Sequence, residues 1–243
     1  MLSKIQGIFA GRLFHGLSDD QAIKTVYGES ADLFSKIIKK EFDSGSEINV
    51  LDLGSHRGEF LQDLISKLDD YKIKTTAVEI NEDDLNNNIA QVKINSNLIE
   101  IPIEDKCFDI TLCRYVLAWN SLENQQKIIG NIKRLTKGIA IIQHQGSKNN
   151  SDLLKTSADD LFDGQIDLLK RDEFYFSNAD ELKNIFESLQ IKYDLIQDRE
   201  VKGLSNILIK KYSLSEEDAK LTKEILKDSD YIVQTTFVLD FRN

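Results

Sequence analysis

Acidic and glycine residues that could bind a ligand surround one short segment of the chain. The apolar run Val50–Leu53 contains Asp52 and leads into residues 54–58, Gly-Ser-His-Arg-Gly, after which apolar residues recur at helical spacing. Glycines let a ligand approach the backbone, and the first amides of the following helix point back over the turn. A second β-prone run ends on Glu79, roughly 20 residues after the last glycine, where nucleotide-binding folds place an acid for a ribose diol. This order of strand, glycine turn, helix, strand and acid predicts a ligand-binding site.

The order and spacing resemble those of class I S-adenosylmethionine-dependent methyltransferases over residues 49–212. In that family the first turn reads acid-x-Gly-x-Gly-x-Gly, and His56 stands here in place of the middle glycine. Further on, Ile101-Pro102 is similar to the family's Leu-Pro pair, and Phe108-Asp109 to the residues that open strand 4. The resemblance implies S-adenosylmethionine as cofactor and S-adenosylhomocysteine as product.

The resemblance also implies which residues hold the cofactor. They come from the glycine turn, the end of strand 2, the segment after strand 3 and the end of strand 4: Asp52, Gly54, Ser55, His56, Gly58, Glu79, Ile80, Asn97, Leu98 and Arg114. Asn97 stands where the family usually has an acid that contacts the adenine. An amide oxygen can still accept a hydrogen bond from the adenine amine.

The implied fold is α/β, a Rossmann-like doubly wound seven-stranded sheet with an antiparallel C-terminal hairpin of residues 191–199 and 205–212. A methyltransferase-like domain is expected over residues 1–213. It includes an N-terminal helical cap (1–47), read as a cofactor lid or as helices packed on the sheet, and an insertion (147–177). A helix–strand extension follows (214–243). Its apolar end would either pack on its own domain or pair with a second subunit in a homodimer, because an exposed strand promotes aggregation.

Open α/β sheets bind ligands beyond the carboxyl ends of their strands. Strand 4 is predicted to end near Arg114 and Tyr115, which are candidates for holding the methyl acceptor, and His144 at the end of strand 5 is a candidate general base. In each case a structural role is the alternative. The aromatic run Phe174–Phe176 in the insertion could wall the acceptor pocket or belong to the core.

Composition narrows the class of partner. The formal net charge of −10 disfavours nucleic acid, which is itself a polyanion. Cys107 and Cys113 lack metal-ligand spacing and suggest no disulfide framework, so no metal is predicted. No apolar segment reaches the roughly 20 residues that span a bilayer, and no signal peptide is evident. A cytoplasmic protein without membrane attachment is expected.

These observations favour a methyltransferase that acts on a small-molecule acceptor. One alternative is a non-catalytic binding or scaffold protein of the same fold, which His56 and Asn97 at cofactor positions favour slightly. Another is a protein methyltransferase. Strand 4 ends in Arg-Tyr-Val-Leu and lacks the Asn/Asp-Pro-Pro-Tyr/Phe motif that is used on flipped bases or glutamine.

Overall fold

The computed structural model describes residues 20–146, 177–202, 215–216, 219–220, 223 and 231–242. Three expectations concern residues outside this set: the first part of the N-terminal cap, the insertion with its aromatic run, and the strand expected at 205–212. The described helices and strands are, in chain order, α1 (Asp20–Glu41), β1 (Glu47–Leu53), α2 (Glu59–Ser66), β2 (Lys72–Glu79), α3 (Glu82–Asn86), β3 (Val92–Asn95), β4 (Phe108–Arg114), a 3-10 turn (Leu117–Trp119), α4 (Leu122–Leu135), β5 (Thr136–Gly146), α5 (Ala179–Ser188), β6 (Lys192–Lys202) and β7 (Tyr231–Asp240).

The strands form one seven-stranded sheet in the order β3-β2-β1-β4-β5-β7-β6. Neighbours among β1 to β5 are parallel, whereas β7 runs antiparallel to both β5 and β6. The predicted Rossmann-like fold with antiparallel C-terminal strands is therefore confirmed. Parallel pairing brings the carboxyl ends of β1, β2, β4 and β5 to one edge of the sheet, which we call the carboxyl edge.

The second strand expected for the C-terminal hairpin, residues 205–212, lies outside the described part of the chain. Among the described residues, the antiparallel partner of β6 is β7, from the predicted extension. β7 lies between β5 and β6 and buries both of its faces, with Phe237 and Leu239 on one face and Val238 on the other. The apolar segment thus packs within its own domain. The homodimer was predicted because this strand would otherwise be exposed, and that reason no longer applies.

Helices cover both faces of the sheet. On the first face, α1 and α2 meet where the rings of Phe34 and Phe60 pack edge to face with centroids 5.2 Å apart. On the second face, α4 and α5 cover the apolar side chains of β5 and β7, and Phe186 packs on Phe237 at 5.1 Å. Cys113 is buried, and burial raises the pKa of its thiol to about 12, which suits an apolar core residue.

Local signals in the sequence begin two of these helices. The hydroxyl of Ser121 accepts a hydrogen bond from the amide of Asn124 at 3.2 Å, which caps α4. Asn178 and Glu181 form a reciprocal capping box at the start of α5. Both are sequence patterns that mark the start of a helix.

One glycine of β5 is required by close packing with β4. A Cβ atom on Gly138 would lie 2.2 Å from the backbone oxygen of Asp109. We expect Gly138→Ala to lower the free energy of unfolding by about 2 kcal/mol or more, because backbone has to shift. The matched control is Gly130→Ala in α4, which has open space and should raise this free energy by up to about 1 kcal/mol. Urea unfolding of both variants measures the difference, and equal effects would contradict the packing argument.

Candidate functional site

The loop between β1 and α2 crosses the carboxyl edge in an unusual backbone conformation. Gly54, His56 and Gly58 all have positive φ, at 65°, 49° and 81°. A Cβ atom on Gly54 would lie 2.5 Å from a methyl carbon of Val116, and one on Gly58 would lie 2.8 Å from Oδ1 of Asn88. Both glycines are thus needed for the loop to pack against its own protein, in addition to any approach by a ligand.

Glu79 closes this loop from the end of β2. Its Oε2 accepts a hydrogen bond from the amide of His56 at 3.0 Å, and its Oε1 accepts from the amides of Ile80 and Asn81 at 2.9 and 3.0 Å. A carboxylate offers about four lone-pair directions. The three amides therefore hold Glu79 in place and leave it capacity to accept from a hydroxyl.

Two residues that were not among the predicted site residues brace the loop from outside. The buried Asn88 donates from Nδ2 to Oγ of Ser55 at 3.1 Å and to the backbone oxygen of His56 at 2.8 Å. The buried Asp84 accepts from Nε of Arg57 at 2.9 Å. The signal that could have found them is the dense run of acidic and amide residues directly after Glu79.

His56 is tied to two helices by carboxylates. Its Nε2 lies 3.3 Å from Asp84 of α3, and its Nδ1 lies 3.6 Å from Glu59 of α2. The Glu59 carboxylate raises the pKa of His56 against the opposing effect of partial burial, and the charges of Asp84 and Glu79 add to the rise. A non-glycine residue at this left-handed position is therefore held by electrostatic contacts.

Arg114, Tyr115 and Asp52 come together on the first face at the carboxyl edge. The guanidinium carbon of Arg114 lies 4.5 Å from the ring centroid of Phe60 and 4.6 Å from that of Tyr115. Asp52 is 4% exposed, and burial raises the pKa of its carboxyl to about 7, although the charge of Arg114 partly offsets this. Asp52 thus titrates close to neutrality, beside a fixed positive charge.

His144 lies on the second face, apart from Arg114 and Tyr115. Its Nε2 is 2.9 Å from the backbone oxygen of Ser177, whose hydroxyl donates to Gln125 of α4. The ring is 1% exposed, and burial lowers its pKa to about 4. These contacts hold the start of α5 and give no support to the predicted role of general base.

The predicted adenine residues lie on the β2–β3 side of the carboxyl edge. Asn97 is exposed after β3, and its Oδ1 accepts from the amide of Ile99 at 3.1 Å. The backbone oxygen of Leu98 accepts from the side chain of Asn131 at 2.9 Å. Ile80, 67% exposed directly after Glu79, presents an apolar side chain at the same edge.

Comparison with known proteins agrees with this geometry. A family model described as a methyltransferase domain matches residues 44–188. The chain therefore belongs to the class I S-adenosylmethionine-dependent methyltransferases. Comparison with curated protein sequences finds no match.

Solved structures of low sequence identity share the fold. The YcgJ protein of Bacillus subtilis superposes with a TM-score of 0.67 at 15% identity, over 89% of this chain and 99% of that one. Geranyl diphosphate C-methyltransferase of Streptomyces coelicolor, solved with geranyl diphosphate and S-adenosylhomocysteine, gives 0.58 at 10% identity, over 98% and 97%. Phosphoethanolamine N-methyltransferase 2 of Haemonchus contortus, solved with phosphomonomethylethanolamine and S-adenosylhomocysteine, gives 0.59 at 12% identity, over 98% and 60%.

No described helix is long and apolar enough to cross a membrane. Within the described part of the chain, no group of three or more His, Cys, Asp or Glu side chains could hold a metal ion.

The carboxylates around His56 predict a pH-dependent contribution to stability. Because the pKa of His56 is raised in the folded protein, its charged contacts stabilise the fold below the unfolded pKa of about 6.5 and lose that effect as pH rises through the folded pKa. Relative to His56→Asn, the wild type should gain less than about 1 kcal/mol, since the ring is partly exposed, and only at acidic pH. Asparagine tolerates the left-handed backbone and cannot be charged.

Thermal unfolding of both proteins from about pH 5 to pH 9 measures this gain, with the unfolded pKa as the reference point. In an Asp84→Asn background the pH-dependent gain should shrink, because one of the facing charges is gone. A constant difference between wild type and His56→Asn over the whole range would show that the charge of His56 is irrelevant to the loop.

Proposed function

We propose that this methyltransferase binds S-adenosylmethionine in the loop of residues 54–58 and transfers its methyl group to a small-molecule acceptor. The observation that supports this most directly is the closure of the loop by Glu79. The family implies the cofactor, and the loop, a carboxylate with spare acceptor capacity and the buried Asp52 form a donor and acceptor set that suits it.

Each part of the cofactor has residues of suitable chemistry nearby. Glu79 would accept hydrogen bonds from the ribose hydroxyls, while Ile80, Asn97 and Leu98 would contact the adenine. Ser55, His56 and the two glycines would form the floor of the site. Asp52 and Arg114 would face the amino-acid portion, with the acid toward the ammonium and the guanidinium toward the carboxylate.

The sulfonium of the cofactor makes its methyl group electrophilic. What this chain then has to supply is alignment of the acceptor and exclusion of water. Arg114 lies over the ring of Tyr115 at the carboxyl edge, so we assign Tyr115 to acceptor binding and place Arg114 between the acceptor and the amino-acid portion of the cofactor. Geranyl diphosphate and phosphomonomethylethanolamine in the similar structures are small molecules, which supports an acceptor of this size.

The alternative of a non-catalytic scaffold rested partly on His56 in the loop. The His56 ring is held by Asp84 and Glu59, while its backbone amide still bonds to Glu79. The substitution of the middle glycine thus leaves the bond between the loop and Glu79 in place, which supports the enzyme.

Cofactor binding tests the proposal. Titration calorimetry with S-adenosylhomocysteine should give saturable binding that weakens about tenfold or more in Glu79→Ala, because hydrogen bonds to a charged group and the closure of the loop are both lost. Glu82→Ala removes an exposed carboxylate from the next helix and is the matched control, with affinity unchanged. Failure of the folded wild type to bind at millimolar ligand would overturn the proposed function.

Binding should also release protons near neutral pH. At pH 7 about half of the Asp52 carboxyls carry a proton. The ammonium and sulfonium of S-adenosylmethionine favour the charged carboxylate, so the bound state holds fewer protons. Calorimetry in buffers of different ionisation enthalpy should show this release, larger for S-adenosylmethionine than for S-adenosylhomocysteine. Asp52→Asn should remove the buffer dependence, and its persistence in that variant would assign the protons elsewhere.

A further inference from the structure

Polar side chains are buried inside the sheet where β5 and β7 reach the carboxyl edge. On the first face, Gln143, Gln234 and Thr236 are 1%, 4% and 0% exposed. These polar side chains are unexpected because β5 and β7 are internal strands. Burying amides and hydroxyls costs free energy that apolar residues would not incur. A cluster that breaks the packing rule of its own strand is expected at a functional site.

These residues converge on Tyr115. The backbone amide of Tyr115 donates to the backbone oxygen of Gln143 at 2.7 Å. Its hydroxyl oxygen accepts a hydrogen bond from Nε2 of Gln234, and the Gln143 side chain donates to Thr236 at 3.3 Å. Tyr115 also has a φ of 57°, a conformation that costs free energy for a bulky residue. The buried network therefore holds the half-buried phenol in place and offsets the cost of its backbone conformation.

The direction of the Gln234 contact determines what Tyr115 can do. Since Gln234 donates to the phenol oxygen, the phenol proton is directed toward another acceptor. The guanidinium of Arg114 stacks on the same ring and adds a positive charge. A hydroxyl donor beside a guanidinium is the chemistry that binds an oxyanion.

We propose that Arg114 and Tyr115 form an oxyanion-binding site and that Gln234 is the positioning residue that orients the Tyr115 hydroxyl toward the anion. This rests on the proposed function for its place beside the cofactor. The oxyanion is a carboxylate or phosphate, and it has two sources: a group on the methyl acceptor, or the carboxylate of the cofactor itself.

Near neutral pH, the negative charge of Asp52 only partly offsets the positive charge of Arg114. Burial keeps part of the Asp52 population protonated, with a pKa of about 7. Asp198 accepts from Thr235 at 3.0 Å and lies with it on the second face. Arg114 is thus only partly neutralised at neutral pH and can attract an anion.

The first arm of the test uses protein loaded with methylthioadenosine, which lacks the cofactor carboxylate and so leaves the oxyanion site open for either source. Acetate and inorganic phosphate are titrated while amide chemical shifts are recorded, with acetamide as the neutral probe. Tyr115→Phe and Gln234→Leu should weaken the binding of both anions about tenfold or more, since hydrogen bonds to charged groups are the stronger ones. Thr235→Val removes a buried hydroxyl from the same strand on the other face and should leave anion binding unchanged.

The second arm identifies the source of the oxyanion. If the site holds the carboxylate of the cofactor, Tyr115→Phe and Gln234→Leu weaken S-adenosylhomocysteine but not methylthioadenosine, which lacks the amino-acid portion. If it holds the acceptor, both nucleosides bind as to the wild type and the variants affect only acetate and phosphate. Either result supports the site.

Other outcomes overturn it. Equal binding of acetate, phosphate and both nucleosides to wild type, Tyr115→Phe and Gln234→Leu would remove the oxyanion site while leaving the proposed function intact. If S-adenosylhomocysteine does not bind to the wild type, the proposed function fails instead. Acetate and phosphate titrations of the unloaded protein then decide the anion site by the same comparison of variants.

Discussion

The bond network of Glu79 is the constraint on which the site depends. Parallel pairing of β1 and β2 places Leu53 opposite Val78, so the loop after β1 passes directly over the end of β2. The amide of Gly54 donates to the backbone oxygen of Val78, and the amide of His56 donates to the Glu79 carboxylate. A loop that turned the amide of His56 elsewhere would leave Oε2 of this half-buried carboxylate without its amide donor, which is costly. The conformation proposed to bind the nucleoside is therefore also the one that the protein's own hydrogen bonds favour.

The histidine in this loop shows how such a constraint tolerates a departure from the family pattern. Glycine adopts a positive φ at little cost, and histidine is among the residues that visit this region more often than most. Here the cost is offset by contacts that glycine could not make, with Asp84 on one helix and Glu59 on another. The loop thus has less conformational freedom than it would have with glycine, and it gains electrostatic contacts instead. One of these contacts is with Asp84, in the helix after β2.

The sequence predicted the parts of the fold that rest on neighbouring residues. The glycine turn, the Ser121 cap and the Asn178 capping box are local patterns, so their outcome depends little on the rest of the chain. The position of β7 depended on long-range pairing, since it lies between β5 and β6 and its own residues do not indicate those partners. Asp84 and Asn88 resembled surface residues because their partners lie far back along the chain. His144 could have been a base or a buried structural residue, and only its desolvation in three dimensions distinguishes the two.

The antiparallel strand β7 connects stability to function. Parallel strands bring only their last residues to the carboxyl edge, whereas an antiparallel strand among them brings its first residues there. The end of β7 away from this edge is apolar and packs Phe237 and Leu239 into the core, while its middle part, from Gln234 to Thr236, is polar and equally buried. The apolar residues stabilise the position of β7 in the sheet. This stabilisation offsets the cost of burying the polar residues, which can then orient Tyr115. In this way residues near the end of the chain can act on a site whose other parts come from the first half of the sequence.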